Sequence, residues 1–375
     1  MADATVFVND LLDEEITIDN EAFPWVHAIT IQAKLNSSRR VTIQFSTREG
    51  LEMCGIGRTL RIQVGKSDIA KGIDFVGKIK SVVPSYDVST ATAFDYVSDL
   101  NSSEMFLVKD NDYASMDMIQ AAKAGLNNSM DDNLYQIDKT TQINLKSLTS
   151  QCGVIYKPNQ GFGGYQTRKA FLDKIFNETY TSQPSTRFLG GAYPAFAYLR
   201  WYYAIRNNNV LDVFQPDIYT QTPVISLGRN SFNLIGKGLA ATVDTGRMIN
   251  SAVVTSSQTD YVAKYADTSS INQYGSQSTI INVNTPDVSK MKEIAFAIVN
   301  TNNKPAGAYT LQIENGHWIE LGDIIEVTIP TLKDKQRFFV KEYNTTITNT
   351  INTSITLGIG RLTTNEIVKR ISSKG

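Results

Sequence analysis

The chain has 375 residues, beyond the size at which one hydrophobic core stops growing, so two to four packed units are expected. Its 36 basic and 37 acidic residues leave a formal charge of -1, which excludes a global field that would draw it to nucleic acid or an anionic membrane. An apolar share of 42% with 16 Phe, 17 Tyr and 3 Trp excludes disorder of the whole chain.

The opening residues MADATVFVNDLLDEE lack the basic start and apolar stretch of a secretory signal, and no apolar run of membrane-spanning length follows. A soluble protein made in a cytosol, with no membrane segment, is the expectation. From Trp25 to Val83 the dominant period is two. Ile29, Ile31 and Ala33 alternate with polar residues, as do Val41, Ile43 and Phe45, then Leu60, Ile62 and Val64. A further strand over Asp74 to Val83 stops at Pro84, and the set reads as a barrel or sandwich of short strands.

The middle third changes period. Met116, Ile119, Ala122 and Leu126 recur at helical spacing, as do Phe171, Leu172, Ile175 and Phe176. A third helix is predicted from Pro194 through Phe196, Leu199, Trp201, Tyr202 and Ile205 to Asn207. Gly161, Gly163, Gly164, Gly190 and Gly191 mark tight turns. After Gln215 the strand period returns. Thr285 as N-cap, Pro286 and Asp287 then open a helix with an apolar stripe of Met291, Ile294, Ala295, Ile298 and Val299, ending near Asn300. Tyr309 to Leu362 is strand again, with Ile351, Thr353, Ile355, Leu357 and Ile359 in alternation.

The two strand regions share an order. Apolar residues fall three, five and seven positions after Gly57, at Leu60, Ile62 and Val64, and at the same offsets after Gly322, at Ile325, Val327 and Ile329. A lysine-bearing loop follows each, with Lys66 and Lys71 in one and Lys333 and Lys335 in the other. Next come Phe75-Val76-Gly77-Lys78 and Phe339-Val340-Lys341-Glu342, then a polar turn and a strand ending near Phe94 and Tyr96 or near Leu357 and Ile359. One barrel type used twice is the reading. The recurring Gly-Ile-Gly-Arg at Gly55 and Gly358 sits at different points of the two copies and is coincidence.

The fold class is therefore mainly β with an α+β middle: two related antiparallel β-barrel modules separated by a mixed α/β insertion. The expected divisions are 1–98 and 285–375 for the two modules, 99–215 for the middle domain and 216–284 for a connecting β-rich region.

Chemistry is sparse. His27 and His317, each near a tryptophan, are the only histidines, and Cys54 and Cys152 are far apart with no CxxC spacing. No GxSxG, HExxH or phosphate-loop Gly-Lys-Ser/Thr occurs. No catalytic, metal or cofactor residue is assigned, and no cofactor is expected; the protein reads as a non-enzyme. The sites put forward are assembly-contact loops at Lys66, Lys71, Lys333 and Lys335.

Three stretches carry a family likeness. Thr59 to Gly65 leading to Phe75-Val76-Gly77-Lys78-Ile79 resembles the first barrel of the phage tail baseplate hub family, whose relatives form spike hubs of contractile injection systems. Thr90 to Leu100 is similar to the strand leading into that family's middle domain. Asp287 to Val299, Tyr309 to Ile313, the Leu321-Gly322-Asp323 turn, Phe338 to Thr346 and Ile355 to Arg361 resemble the elements that end its second barrel. Gly161 to Pro216 matches no motif of the family.

The resemblance implies a homotrimer whose six barrels form a ring in the tail baseplate of a virion. The ring would seat the sixfold tail tube protein on one face and the threefold central spike protein on the other, around a channel through which DNA passes without specific binding. The alternatives are a distal tail adaptor of similar barrel type, or a carbohydrate-binding or carbohydrate-cleaving receptor protein.

Overall fold

A computed structural model describes residues 15–64, 72–102, 105–127, 155–156, 163–178, 180–185, 195–206, 210–218, 221–228, 234–244, 248–303, 306–328, 335–358 and 364–372. The strands in chain order are β1 (Glu15–Ile18), β2 (Glu21–Ala22), β3 (Val26–Lys34), β4 (Arg40–Ser46), β5 (Thr59–Val64), β6 (Ile73–Val83), β7 (Val88–Phe94), β8 (Phe106–Val108), β9 (Gly164–Gln166), β10 (Tyr180–Ser185) and β11 (Ala195–Arg200). They continue as β12 (Tyr202–Arg206), β13 (Val210–Phe214), β14 (Ile225–Leu227), β15 (Leu234–Asp244), β16 (Ser251–Ser256), β17 (Thr259–Ala266), β18 (Ser278–Val283), β19 (Ala306–Glu314), β20 (Ile324–Thr328), β21 (Lys335–Ile347) and β22 (Ile351–Gly358). The helices are α1 (Thr47–Gly50), α2 (Val97–Ser102), α3 (Met118–Asn127), α4 (Arg168–Glu178), α5 (Thr268–Tyr274), α6 (Val288–Asn302) and α7 (Thr364–Ser372).

Two compact units result. One comprises Met1–Tyr180, Arg200–Ala240 and Thr310–Gly358; the other comprises Thr181–Leu199, Ala241–Tyr309 and Ile359–Gly375. In the first unit a large sheet runs antiparallel in the order β22–β21–β3–β4–β7–β6–β5–β1–β2. Among the described residues this is an open path and not a closed ring.

The alternation read from the sequence holds where residues pair across strands. Thr353, Thr345, Ile31, Val41, Ala93 and Ile79 form one row across the sheet, and Ile351, Ile347, Ile29, Ile43 and Ala91 form the next. Every member is buried, since side chains of period two all reach one face. The two buried threonines satisfy each other's hydroxyls at 3.1 Å.

The repeat is carried by the hydrogen bonds themselves. β3–β4–β7–β6–β5 and β15–β19–β22–β21–β20 are neighbours in the same order. Gly57 N–H donates to the Ile79 carbonyl at 2.8 Å and Ile79 N–H to Arg58 at 2.9 Å; Gly322 donates to Val340 at 2.9 Å and Val340 to Asp323 at 3.0 Å. Thr59 then pairs Lys78 as Ile324 pairs Phe339, and Lys78 pairs Phe94 as Phe339 pairs Gly358. The ladder slips by one residue at Lys80 in the first copy and at Lys341 in the second, a β-bulge at the same place.

This register corrects one detail of the sequence comparison. Lys78 is equivalent to Phe339, so Phe75-Val76 and Phe339-Val340 occupy different positions, because the loop before β6 is longer than the one before β21. Gly358 is equivalent to Phe94 and not to Gly55, which makes Gly-Ile-Gly-Arg a coincidence. Ile329 and Ile359 lie outside the described residues.

The middle region packs α2, α3 and α4 with the β12–β13 hairpin around Tyr113, Tyr156, Phe171, Phe176 and Tyr203. The first two predicted helices are present. Met116 precedes α3, where Asp117 accepts from the Ile119 N–H at 2.9 Å and starts the helix after it. The third is wrong: Ala195–Arg200 and Tyr202–Arg206 are strands. Tyr202, Tyr203, Ala204 and Ile205 are all buried, Tyr203 and Ile205 within the middle core and Tyr202 against Phe339 at 5.6 Å. A strand covered on both faces shows no alternation and imitates a buried helix. Pro194, Gly161, Gly190 and Gly191 lie outside the described residues; Gly164 takes a φ of +108°.

In the second unit β17–β16–β18 form a sheet, with β16 antiparallel to β17 and parallel to β18, and α6 lies on it through Met291, Ile294, Ala295, Ile298 and Val299. The predicted stripe is right and its cap shifts by two residues. Asp287 accepts from the N–H groups of Ser289 at 2.9 Å and Lys290 at 3.2 Å, while Thr285 bonds the Asp287 N–H, because an N-cap carboxylate reaches two helix donors.

Gly57 and Gly322 take φ values of +87° and +85°, a region that penalises any Cβ. A Cβ on Gly57 would meet nothing within 4 Å, whereas one on Gly322 would lie 2.3 Å from the Phe214 ring. Gly57→Ala is expected to cost about 1–2 kcal/mol and Gly322→Ala at least about 1 kcal/mol more. Urea unfolding should show that Phe214→Ala removes the excess at Gly322 and leaves Gly57 unaffected.

Candidate assembly surface

The lysine loops are placed unevenly. Lys66, Lys71 and Lys333 lie outside the described residues, and Lys335 opens β21 with its backbone paired to Thr328. The described part of the surface offers other features. Val83 (62% exposed), Tyr86 (94%) and Val88 (40%) crowd the tip of the β6–β7 hairpin. Leu107 and Tyr165 pair directly across β8 and β9 and are both exposed. In the second unit Ile280 is 75% exposed on β18 and Val262 is exposed on β17, on the sheet face away from α6. Large apolar side chains left in water in groups mark contact surfaces more often than single ones do. The sequence carried a signal for the first group, two valines and a tyrosine around Pro84, but strand alternation alone does not tell an inward valine from an outward one.

A buried charge lies at the far end of β7 from the hairpin tip. Arg39 and Asp95 are both inaccessible to solvent; Asp95 accepts from the Arg39 backbone N–H at 2.8 Å and Nε at 3.4 Å, and from the Val97 N–H at 3.1 Å. Arg39 Nη1 donates to the Asp74 carbonyl at 3.0 Å, and its guanidinium lies 5.4 Å from the Phe75 ring centroid. Burial pushes the Asp95 carboxyl up to about 6, against the opposing pull of Arg39 and the backbone donors.

A second cation organises the other module. Arg206 on β12 reaches Asp212 at 3.2 Å, Glu320 at 3.0 Å and Asp323 at 3.4 Å, and stacks 4.8 Å from the Phe214 ring centroid. Asp323 also accepts from the Glu320 N–H at 3.0 Å. The Gly322-Asp323 turn is thus clamped to the β12–β13 hairpin, a role the turn's sequence alone did not show.

The bulge lysines differ. Lys80 is neutralised by Asp99 at 2.6 Å, whereas Lys341 forms no ion pair among the described residues, and burial, Lys34 and Arg200 hold its ammonium below the usual lysine range.

None of this is a catalytic constellation. No group of three or more His, Cys, Asp or Glu able to hold a metal occurs among the described residues. His27 lies on β3, and burial lowers the His317 imidazole. Cys54 is buried, and desolvation pushes its thiol up to about 12 despite nearby Arg58. Cys152 lies outside the described residues. No helix among the described residues is long and apolar enough to cross a membrane.

No family model matches the sequence, and no curated protein does. Solved structures do. A tail protein from Neisseria meningitidis MC58 is similar at a TM-score of 0.58 and 12% identity, covering 94% of this chain and 98% of that one. The 43 kDa tail protein of prophage MuSo2 from Shewanella oneidensis is similar at 0.56 and 11%, with the same coverage. Prophage tail protein gp18 from Listeria monocytogenes EGD-e is similar at 0.53 and 10%, covering 94% of each chain. The chain has the fold of prophage tail proteins. None of the three is named as an enzyme, and the likeness spans nearly the whole of each chain.

The Arg39–Asp95 pair gives the fold a pH signature. The Asp95 pKa is raised from an unfolded value of about 3.9, so its contribution to stability is full below pH 4 and is lost as pH rises through 6. Between pH 4 and 6 the wild type should lose up to about 3 kcal/mol relative to Asp95→Asn. Chemical denaturation of both proteins across that range checks the slope; parallel pH profiles would reject it.

Proposed function

We propose that this chain is the structural baseplate hub of a phage tail. Three copies form a ring of six modules, seated on the sixfold tail tube protein and holding the threefold central spike protein, with an axial channel for the genome. The observation that carries the reading is the duplicated module: two five-strand sets with one strand order, one ladder register and one bulge position. A threefold assembly presents near-sixfold symmetry only if each chain supplies two equivalent parts.

Each set closes into a barrel-like module in the ring, and the loops bearing Lys66, Lys71, Lys333 and Lys335 meet neighbouring tail proteins. DNA passes through the channel without sequence-specific contact. The function is mechanical, needs no cofactor, and belongs in the virion. A distal tail adaptor would use the same modules with a different number of copies.

Light scattering should give three times the chain's mass at assembly concentrations, and averaged particle images should show a ring with six similar lobes. A monomer at every concentration, or six copies per ring, would overturn the hub reading.

A further inference from the structure

The two modules differ in one place. In the second, β21 outgrows β20 beyond its bulge, and residues Glu342 to Ile347 pair with Lys34 to Ile29 of β3. That pairing covers Tyr343, Thr345 and Ile347, leaving Ile347 fully buried. In the first module β6 likewise outgrows β5 beyond its bulge, but the edge of Ser81, Val82 and Val83 away from β7 has no partner among the described strands.

The bare edge has the character of a covered one. Tyr86, as far past Ile79 as Ile347 is past Val340, is 94% exposed, and Val83 and Val88 beside it are also exposed. Lys80, the charge that would keep an edge strand unpaired, is drawn aside by Asp99. Pro84 gives no N–H, so a ladder formed here is short and leans on the apolar tip.

The strand that would cover it is identified by the same comparison. β3, the outer neighbour of β4, covers β21; the outer neighbour of β19 is β15. β15 ends its side of the sheet path, and β6 lies toward the other side. One chain therefore carries both halves of a join at separate places on its sheet.

We infer that the outer edge of β15 in one copy adds to the Ser81–Val83 edge of β6 in a second copy and covers Tyr86, the counterpart of Ile347, reproducing between chains the β3–β21 join made within each chain. Such a contact is heterologous, head to tail, the kind that builds a ring when its rotation closes. The inference rests on the ring reading above and names the contact that builds it.

The test uses the full chain. Tyr86→Lys, at an exposed position, should leave the thermal melt unchanged and weaken self-association at least about tenfold by light scattering across a concentration series. Tyr165→Lys, an exposed aromatic elsewhere, should leave association unchanged. In a background with Cys54→Ser and Cys152→Ser, Val83→Cys combined in turn with a cysteine at each position from 234 to 240 should give intermolecular disulfides at alternate positions. A wild-type ring that tolerates Tyr86→Lys and yields no such disulfides would overturn the join and leave the ring reading standing. A wild-type monomer at all concentrations would overturn both.

Discussion

Everything in the first unit depends on the antiparallel ladder between β3 and β21. It joins residues more than three hundred positions apart and makes one sheet from two modules, each of which would otherwise end in an open edge. The ladder's inner face supplies Ile29, Ile31 and Ala33 opposite Ile347, Thr345 and Tyr343, all buried, and the same rows run on through Val41, Ile43, Ala91 and Ala93. A slip of one residue would turn both isoleucines of β3 to solvent, so burial itself sets the register between the modules. The bulge at Lys341 lies where β21 leaves β20 and takes β3 as its neighbour.

Charge is used sparingly, and two arginines carry it into packed surroundings. Arg39 ties the end of β7 to β6 through Asp95 and the Asp74 carbonyl, and Arg206 ties the β12–β13 hairpin to the turn that opens β20. Each cation sits where a module meets the middle of the unit, in surroundings where an unpaired charge would cost several kcal/mol. Both therefore act as orientation devices, since the strands can dock in only one arrangement that satisfies them. A nearly neutral chain with its ion pairs placed this way suits a part that must hold a shape within a larger assembly.

Much of the fold was legible because half-buried strands advertise themselves. The alternation of Ile29, Ile31 and Ala33, the three- and five-residue offsets from Gly57 and Gly322, and the stripe of α6 all return in the structure at the expected positions. What failed has a shared cause. Tyr202 to Ile205 are buried on both faces, so the period that separates strand from helix is erased, and Asp287 captured helix donors that Thr285 was expected to take. Of the assembly surface little was legible. Lys335 is a strand residue, the other three lysines lie outside the described residues, and the exposed Tyr86 is told from the buried Ile347 only by which edge another strand covers.

β3 and β21 weld two copies of one module into a single cooperative sheet. Native-state hydrogen exchange reads that cooperativity strand by strand. The amides of Ile29, Ile31, Thr345 and Ile347 should open with the same free energy and the same denaturant dependence as those of Ile43 and Ala91, at the level of global unfolding. Opening of the β20–β22 amides as a separate, less stable group while β3, β4 and β7 stay protected would contradict it.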